Sequence, residues 1–335
     1  MFMDKLSKNT ALVTGATGFI GSHLAELLIA KGFRVRALVR RTSDLRWIKD
    51  LPVELAYGDL GDSSSLEQAA AGADYVFHLA GAVKARDPQD FYRHNTQATL
   101  NLAGAAIKAA PGLKRFLFAS SQAAAGPAKD VEEPVCEHHE CRPLSDYGKS
   151  KLQAERELLK VSDKLPLTIV RPPSVYGPRD TEVLGYFRWV KRGLAPLPGF
   201  KTRYAHLIYV EDLVQGMLQA AQSENSLNRT YFLAEDRAYS WNEISGVIAT
   251  CMNKKILKMH IPLQLARLSA MFNEAGAFLN GNPAMITRQK VREMSQIYWT
   301  VSSQAAKNDF GFNCEYDLAR GMKETAEWYR KQGWL

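Results

Sequence analysis

Cysteine is scarce in this chain: four residues in 335, at Cys136, Cys141, Cys251 and Cys314. So few, so scattered, exclude a disulfide framework and favour reduced thiols. No run approaches the roughly 20 uninterrupted apolar residues that span a bilayer, and Met1 to Thr10 holds no apolar stretch of the secretion-signal kind. The expectation is a soluble, cytoplasmic protein with no transmembrane segment. Basic residues exceed acidic ones by 43 to 35, yet no basic block interleaved with aromatics stands out. The formal charge of +8 therefore reads as solvation and attraction for anionic ligands, not as nucleic-acid binding. Internal repeats, low-complexity tracts and long flexible linkers are also missing.

What is present is ample material for a core, with 46% hydrophobic residues. Runs of β-branched and aromatic residues bounded by turn residues give seven strands: Thr10–Thr14, Arg34–Val39, Val53–Tyr57, Tyr75–Leu79, Arg115–Ala119, Leu167–Arg171 and Thr230–Leu233. Most are separated by a helical stretch and are nearly all apolar, the pattern of a parallel sheet covered on both faces. The fold class is thus α/β, a doubly wound Rossmann-type sheet of about seven strands with a smaller, mostly helical carboxy-terminal lobe. Residues 1–174 and 206–234 form the dinucleotide-binding part. Residues 175–205 and 235–335 form the substrate lobe, with helices expected at Trp241–Met252, Leu263–Leu279, Thr287–Tyr298 and Asp317–Gln332. The cleft between the two is the expected substrate site.

The first strand runs into Thr14-Gly15-Ala16-Thr17-Gly18-Phe19-Ile20-Gly21, followed by apolar residues at helical spacing up to Ala30. In such a strand, turn and helix, Gly15 allows the tight turn, Gly18 lets backbone approach a pyrophosphate, and Gly21 lets the helix pack close. The second strand ends without a carboxylate, in Arg40-Arg41-Thr42-Ser43, offering cations and hydroxyls to a 2′-phosphate. NADP(H) is accordingly favoured over NAD(H). Asp59 and Leu60 close the third strand, where the Asp59 carboxylate can hold an adenine edge. Leu79, Ala80 and Gly81 close the fourth, where small residues let backbone approach the cofactor. His78 reads as a packed strand-end histidine, and Asn95 as a tie between a helix and the strand ends.

Tyr147 and Lys151 lie four apart, on one face of a helix. A phenol is a poor base at neutral pH, but an adjacent ammonium and a positive nicotinamide favour its phenolate. Ser120 and Ser121 follow the fifth strand, where a hydroxyl can hold a reacting oxygen.

The glycine loop, Gly58-Asp59-Leu60, Phe118-Ala119-Ser120-Ser121, Tyr147-Gly148-Lys149-Ser150-Lys151 and Arg171-Pro172-Pro173-Ser174-Val175-Tyr176-Gly177-Pro178 resemble the extended short-chain dehydrogenase/reductase family. The resemblance covers nearly the whole chain. It implies Tyr147 as acid/base, Lys151 as its partner, Ser121 rather than Ser120 as the oxyanion holder, and Pro172, Ser174 and Val175 presenting backbone to the nicotinamide. It also implies a homodimer paired through the helices that include the Tyr-Lys segment. Val39-Arg40 and Arg171-Pro172-Pro173 resemble the dihydroflavonol reductase and 3β-hydroxysteroid dehydrogenase branch, which acts on ketones and secondary alcohols of apolar molecules. Nucleotide-sugar epimerases and dehydratases with tightly held NAD(P) are the alternative, and from these the chain departs at the end of the second strand, at Ser174, and at Arg203, which is displaced in register.

Cys136-Glu137-His138-His139-Glu140-Cys141 has metal-site composition, but its spacing fits no usual zinc pattern, so no metal is expected and a solvated or substrate-facing loop is. Leu263–Leu279 is apolar with Arg267 and Glu274 interposed, suited to packing against the lobe, covering an apolar substrate or docking on a membrane. Tyr176, Tyr186, Phe187 and Trp189 fall where the resemblance implies substrate contacts, although Phe187 and Trp189, two apart, cannot share a helical face.

Overall fold

The computed structural model describes residues 9–280, 284 and 287–335, with the side chains of residues 278 and 279 left aside. The amino-terminal segment judged to carry no secretion signal lies, up to residue 8, outside the described residues. Seven strands form the main sheet: β1 (Thr10–Thr14), β2 (Arg34–Val39), β3 (Glu54–Tyr57), β4 (Tyr75–His78), β5 (Arg115–Ala119), β6 (Leu167–Arg171) and β7 (Arg229–Phe232). Their order is β7-β6-β5-β4-β1-β2-β3, every pairing parallel. The order reverses between β1 and β4, which is where a doubly wound sheet opens a crevice at its carboxyl ends. Every residue of β1, β4 and β6 is buried, as continuous apolar strands under two helical layers must be.

Two apolar cores flank the sheet. One joins Val13, Phe77 and Leu117 to Leu24 and Leu28 of the helix Phe19–Ala30 and to Val214 and Met217 of the helix Val210–Gln222. The other joins Val76, Phe116 and Ile169 to the helices Ala98–Ala109 and Asp146–Leu159. A third core lies in the carboxy-terminal lobe, built from Phe187, Ile248, Met322 and Tyr329. Tyr176 and Tyr209 belong to it although they come from Ser174–Tyr176 and Leu207–Tyr209, a parallel pair beside the main sheet. The two parts thus share a packed seam.

The lobe, read as mostly helical, carries strands that the sequence reading does not place. The helix expected over Thr287–Tyr298 stops at Met294, and Tyr298–Trp299 pairs in parallel with Tyr204–Ala205. Leu257–Ile261 pairs in parallel with Leu194–Pro198, a strand containing Pro196 and Pro198. In this two-stranded ribbon Gly199 N–H donates to Ile261, so the alternating prolines fall between the donating positions and remove no needed hydrogen bond.

Candidate active site

The loop after β1 is built around two close approaches. Gly15 has φ +74, and a Cβ there would stand 2.8 Å from the Ala80 nitrogen; a Cβ on Gly21 would stand 2.1 Å from the Gly15 carbonyl oxygen. Neither position accepts a side chain. The helix that follows starts at Phe19 with Gly18 as an uncapped N-terminus, and its first backbone bond runs from Ser22 to Gly18. Phe19, Ile20 and Gly21 therefore keep N–H groups without intrahelical partners, the half-exposed Thr17 beside them. This bare cradle at a helix start fits a pyrophosphate, and the glycines leave room for it.

The strand ends around the loop are held by one buried chain of hydrogen bonds. Thr99 Oγ1 donates to the Asn95 carbonyl at 2.7 Å, so His78 Nε2–H donates to Thr99 (2.8 Å) and His78 Nδ1 accepts from Thr14 (2.6 Å). Thr14 Oγ1 then accepts the Ala80 N–H at 3.2 Å. His78 is fully buried and its pKa falls to about 3, chiefly by desolvation and then by the charge of Lys151. It is a neutral strut, as the sequence reading has it. Asn95 sits in a π-helical turn, Tyr92–Gln97, and clamps the backbone of Ala82 from both sides while donating to Ser150. Its amide is committed to protein, and a Cβ on Gly81 would collide with its Oδ1 at 2.8 Å. Asn95 thus shapes the Leu79-Ala80-Gly81 turn.

Tyr147 and Lys151 lie on the helix Asp146–Leu159, capped at its start by Ser145, which accepts from Gly148 N–H. Lys151 is buried; its Nζ donates to the Ala119 carbonyl at 2.8 Å and sits 4.8 Å from the centre of the Phe118 ring. Burial lowers its pKa to about 8, against the opposing charge of Glu155. Tyr147 lies edge-on to Phe91, with ring centres 6.1 Å apart. Burial raises its phenol pKa, a hydrogen bond with Ser121 lowers it, and the charge of Glu293 raises it again. Ser121 caps the short helix Gln122–Ala125, accepting from Ala123 N–H at 3.1 Å, which leaves its own O–H for the Tyr147 phenol.

Ser120 points elsewhere: its hydroxyl donates to Glu155. Glu155 in turn holds Arg171 through two hydrogen bonds of 3.0 and 2.5 Å, with both side chains almost wholly buried. Arg171 also donates to the Cys141 sulfur at 3.3 Å. This platform lies under Lys151, one helical turn on. Glu155 extends the Tyr147–Lys151 spacing by another four residues, a signal present in the sequence and not used there. The contacts with Gln289 and Glu293, by contrast, had no local signal. Gln289 accepts from Asp146 N–H at 2.8 Å, and Ser145 donates to Glu293 at 2.5 Å, fastening the helix Arg288–Met294 across the start of the Tyr-Lys helix.

Around the rim, Arg40 and Arg41 are exposed, and Arg41 lies over the Tyr57 ring at 5.5 Å. Asp59 is exposed, accepting from Gly61 N–H at 2.8 Å, while the Leu60 carbonyl accepts from Asn101 at 2.8 Å. Pro172 is buried and its carbonyl accepts from Gln122 N–H at 2.9 Å; Ser174 is exposed and Val175 half-buried, the two pairing with Leu207 and Ile208. Arg203 is buried and turned back onto the carbonyls of Pro198 and Lys201. Phe187 is buried against Tyr329, Tyr176 is buried, Tyr186 bonds Ser245 at 2.7 Å, and Trp189 is exposed on the opposite side. The Cys136–Cys141 loop is knitted inward: Glu137 accepts from Phe232 N–H at 2.9 Å and His139 Nδ1 from Cys136 N–H at 3.2 Å. Among the described residues no group of three or more His, Cys, Asp or Glu is placed to hold a metal, and no helix among them is long and apolar enough to cross a membrane.

A parallel sheet with this strand order, a bare glycine cradle at its switch point, a Ser just past β5 and a Tyr and Lys on the helix beside it define a dinucleotide-binding Rossmann enzyme fold. The sequence profile of the NAD dependent epimerase/dehydratase family matches residues 11–234. The chain belongs to that family, the extended short-chain dehydrogenases/reductases. It is 33% identical to the ceramide reductase of Caulobacter vibrioides over 98% of this chain and 97% of that protein. It is 28% identical to the N-acetyl-alpha-D-glucosaminyl-diphospho-ditrans,octacis-undecaprenol 4-epimerase of Escherichia coli O157:H7, covering 96% and 95%. Among solved structures it is similar to gox2253, with a TM-score of 0.82 and 28% identity over 98% of this chain and all of that one.

Proposed function

We propose that the protein is an NADP(H)-dependent oxidoreductase that moves hydride between the nicotinamide and a carbonyl or secondary-alcohol carbon of a small apolar substrate. The observation that carries the reading is the grouping of Ser121, Tyr147 and Lys151 at the carboxyl end of β5, with Lys151 Nζ 3.3 Å from where a Cβ on Gly81 would stand. The cofactor, when bound, supplies or accepts the hydride. Tyr147 gives the substrate oxygen its proton in reduction and takes it in oxidation. Ser121 turns its O–H from the Tyr147 phenol to the same oxygen and polarises the carbonyl. Lys151 keeps two N–H bonds beyond the one to Ala119, for the nicotinamide ribose, and its charge favours the phenolate. Gly15, Thr17, Gly18, Phe19, Ile20 and Gly21 would hold the pyrophosphate, Arg40 and Arg41 the 2′-phosphate, Asp59 and Leu60 the adenine side, Leu79 to Gly81 the inner ribose, and Pro172 to Val175 the nicotinamide amide. Asn95 and Ser120 support these contacts from behind.

Two features favour a reductase over a nucleotide-sugar enzyme. The Arg203 side chain is buried with its Nη1 on the main-chain carbonyls of Pro198 and Lys201, an orientation that does not present it to a diphosphate in the cleft. The similarity to a ceramide reductase along nearly the whole chain agrees with an apolar substrate. The second reading, epimerisation on a retained cofactor, is favoured by the similarity to the undecaprenol-linked epimerase. The same proposal takes the protein to be a cytoplasmic homodimer paired through the Tyr-Lys helix.

Titration of NADPH and NADH fluorescence with the wild type and Arg40→Ala tests the reading. We expect NADPH to bind more tightly and the variant to lose about tenfold for NADPH alone, the scale of one charge-assisted contact. Preference for NADH, or a copurified cofactor that does not exchange, would move the assignment to the epimerase reading.

A further inference from the structure

The helix Leu263–Asn280 turns its apolar residues the wrong way for a packed element. Ala270 is fully buried, yet Leu265, Leu268, Met271 and Phe272 are all exposed, Phe272 to 71%. At about 100° per residue these four fill an arc of roughly 120° on the side opposite Ala270. The strand Leu257–Ile261 leads directly into the helix and exposes Leu257, and next to it Phe200, 75% exposed, stacks on His260 with ring centres 5.7 Å apart. This apolar surface comes with charge of one sign. Between Asn253 and Asn273 the chain carries Lys254, Lys255, Lys258 and Arg267 and no carboxylate, and all four cations are exposed. The carboxylate that follows, Glu274, is engaged by Arg288 at 2.7 Å.

We propose that this face docks on an anionic lipid bilayer, with Leu265, Leu268, Met271 and Phe272 inserted at the headgroup and acyl boundary and the four cations against acidic headgroups. An apolar stripe accompanied by four exposed cations, with the one nearby carboxylate on its helix neutralised by Arg288, suits that surface. It does not suit a second copy of the chain, because a two-fold contact would set like charges against each other. The helix also reaches the active site: Glu274 grips Arg288, whose helix holds the start of the Tyr147 helix through Gln289 and Glu293. If the reductase reading holds, docking here sets the substrate lobe beside a bilayer in which an apolar substrate dissolves. The docking itself rests on the surface alone.

The test is co-sedimentation of the full chain with vesicles of phosphatidylcholine alone and of phosphatidylcholine with one third phosphatidylglycerol. It needs neither substrate nor cofactor, so its failure is separable from failure of the redox reading. We expect binding to the anionic vesicles that weakens with salt, at least about tenfold weaker binding for the double variant Leu268→Asp, Phe272→Asp, and about twenty-fivefold weaker binding for Lys254→Gln with Lys255→Gln, at roughly fivefold per cation. Both pairs are exposed, and thermal melts check that each variant folds. The proposal is overturned if the wild type binds neither vesicle, if it binds the neutral ones equally well, or if the folded variants bind as tightly as wild type. It is also overturned if sedimentation velocity finds a dimer that Phe272→Asp dissociates.

Discussion

The amino-terminal half and the carboxy-terminal lobe are held together by different physics. Around the cradle, backbone meets backbone: Gly15 lies against Ala80, Gly21 against Gly15, and Gly148 would carry a Cβ 2.3 Å from the Ala123 carbonyl. In the lobe the close approach is to a side chain instead, Gly321 lying where a Cβ would stand 2.4 Å from the Tyr176 hydroxyl, and packing is by aromatic clusters such as Tyr329, Trp328 and Trp334. Steric closeness suits a site that must fit one cofactor. Side-chain packing tolerates change, which suits a lobe that adapts to a substrate.

The sharpest way to probe the contrast is at the site. Tyr147→Phe keeps the ring and its contact with Phe91 but removes the proton carrier, and kcat is expected to fall by about 10²- to 10⁴-fold; full turnover in the variant would break the assignment. Arg171→Met leaves Glu155 charged, buried and without its counterion, which costs about 3–5 kcal/mol of stability by urea unfolding. Adding Glu155→Gln should restore most of it, and failure to do so would mean the pair is not the coupled unit described here.

Gly21→Ala should cost about 3 kcal/mol, since the intruding methyl must push apart two segments of backbone, and cofactor binding should fall with it. The two halves should also respond to acid with opposite sign. His78 has its pKa lowered to about 3, so below pH 6.5 the unfolded chain binds a proton that the fold refuses, and stability falls by at most about 1.4 kcal/mol per pH unit. Glu235 in the lobe, buried and bonded by Tyr239 at 2.8 Å, has its pKa raised to about 7. The fold then holds its proton more firmly than the unfolded chain does, and stability rises from this group as pH falls from 7 to about 4.5. Relative to wild type, His78→Asn should therefore gain stability on acidification and Glu235→Gln should lose it; equal slopes would refute the pairing. The smallest effect belongs to Gly246→Ala, in open space within a helix, which should stabilise by up to about 1 kcal/mol.

Much of this was legible in the sequence because it is local. β1, β2, β5 and β6 run between the expected residues, since apolar runs followed by Gly15, Arg40, Ser120 and Pro172 leave little choice of boundary. The glycine loop and the Tyr-Lys spacing were readable for the same reason: each is one short segment whose geometry follows from its own residue types. Ser121 was distinguishable from Ser120 through the family resemblance, and the structure supplies a physical reason, the commitment of Ser120 to Glu155.

Other features depend on partners far away in the chain. Tyr298 becomes a strand residue only because Tyr204 lies beside it, and Glu293 reaches Ser145 across 148 positions. Arg203 stood out in the sequence as displaced in register, but that its side chain is turned inward onto Lys201 follows only from the fold. The apolar residues of Leu263–Asn280 spell a helix, but which of them face solvent is decided by what the lobe offers to cover them. The sequence alone determined the succession of main-sheet strands and helices, the glycine loop and the Tyr-Lys spacing, because backbone sterics and hydrophobic periodicity act over a few residues. Only the tertiary structure decided which hydroxyl is committed to Glu155, which charges are neutralised and which apolar face is left bare, because burial and pairing are properties of segments brought together from across the chain.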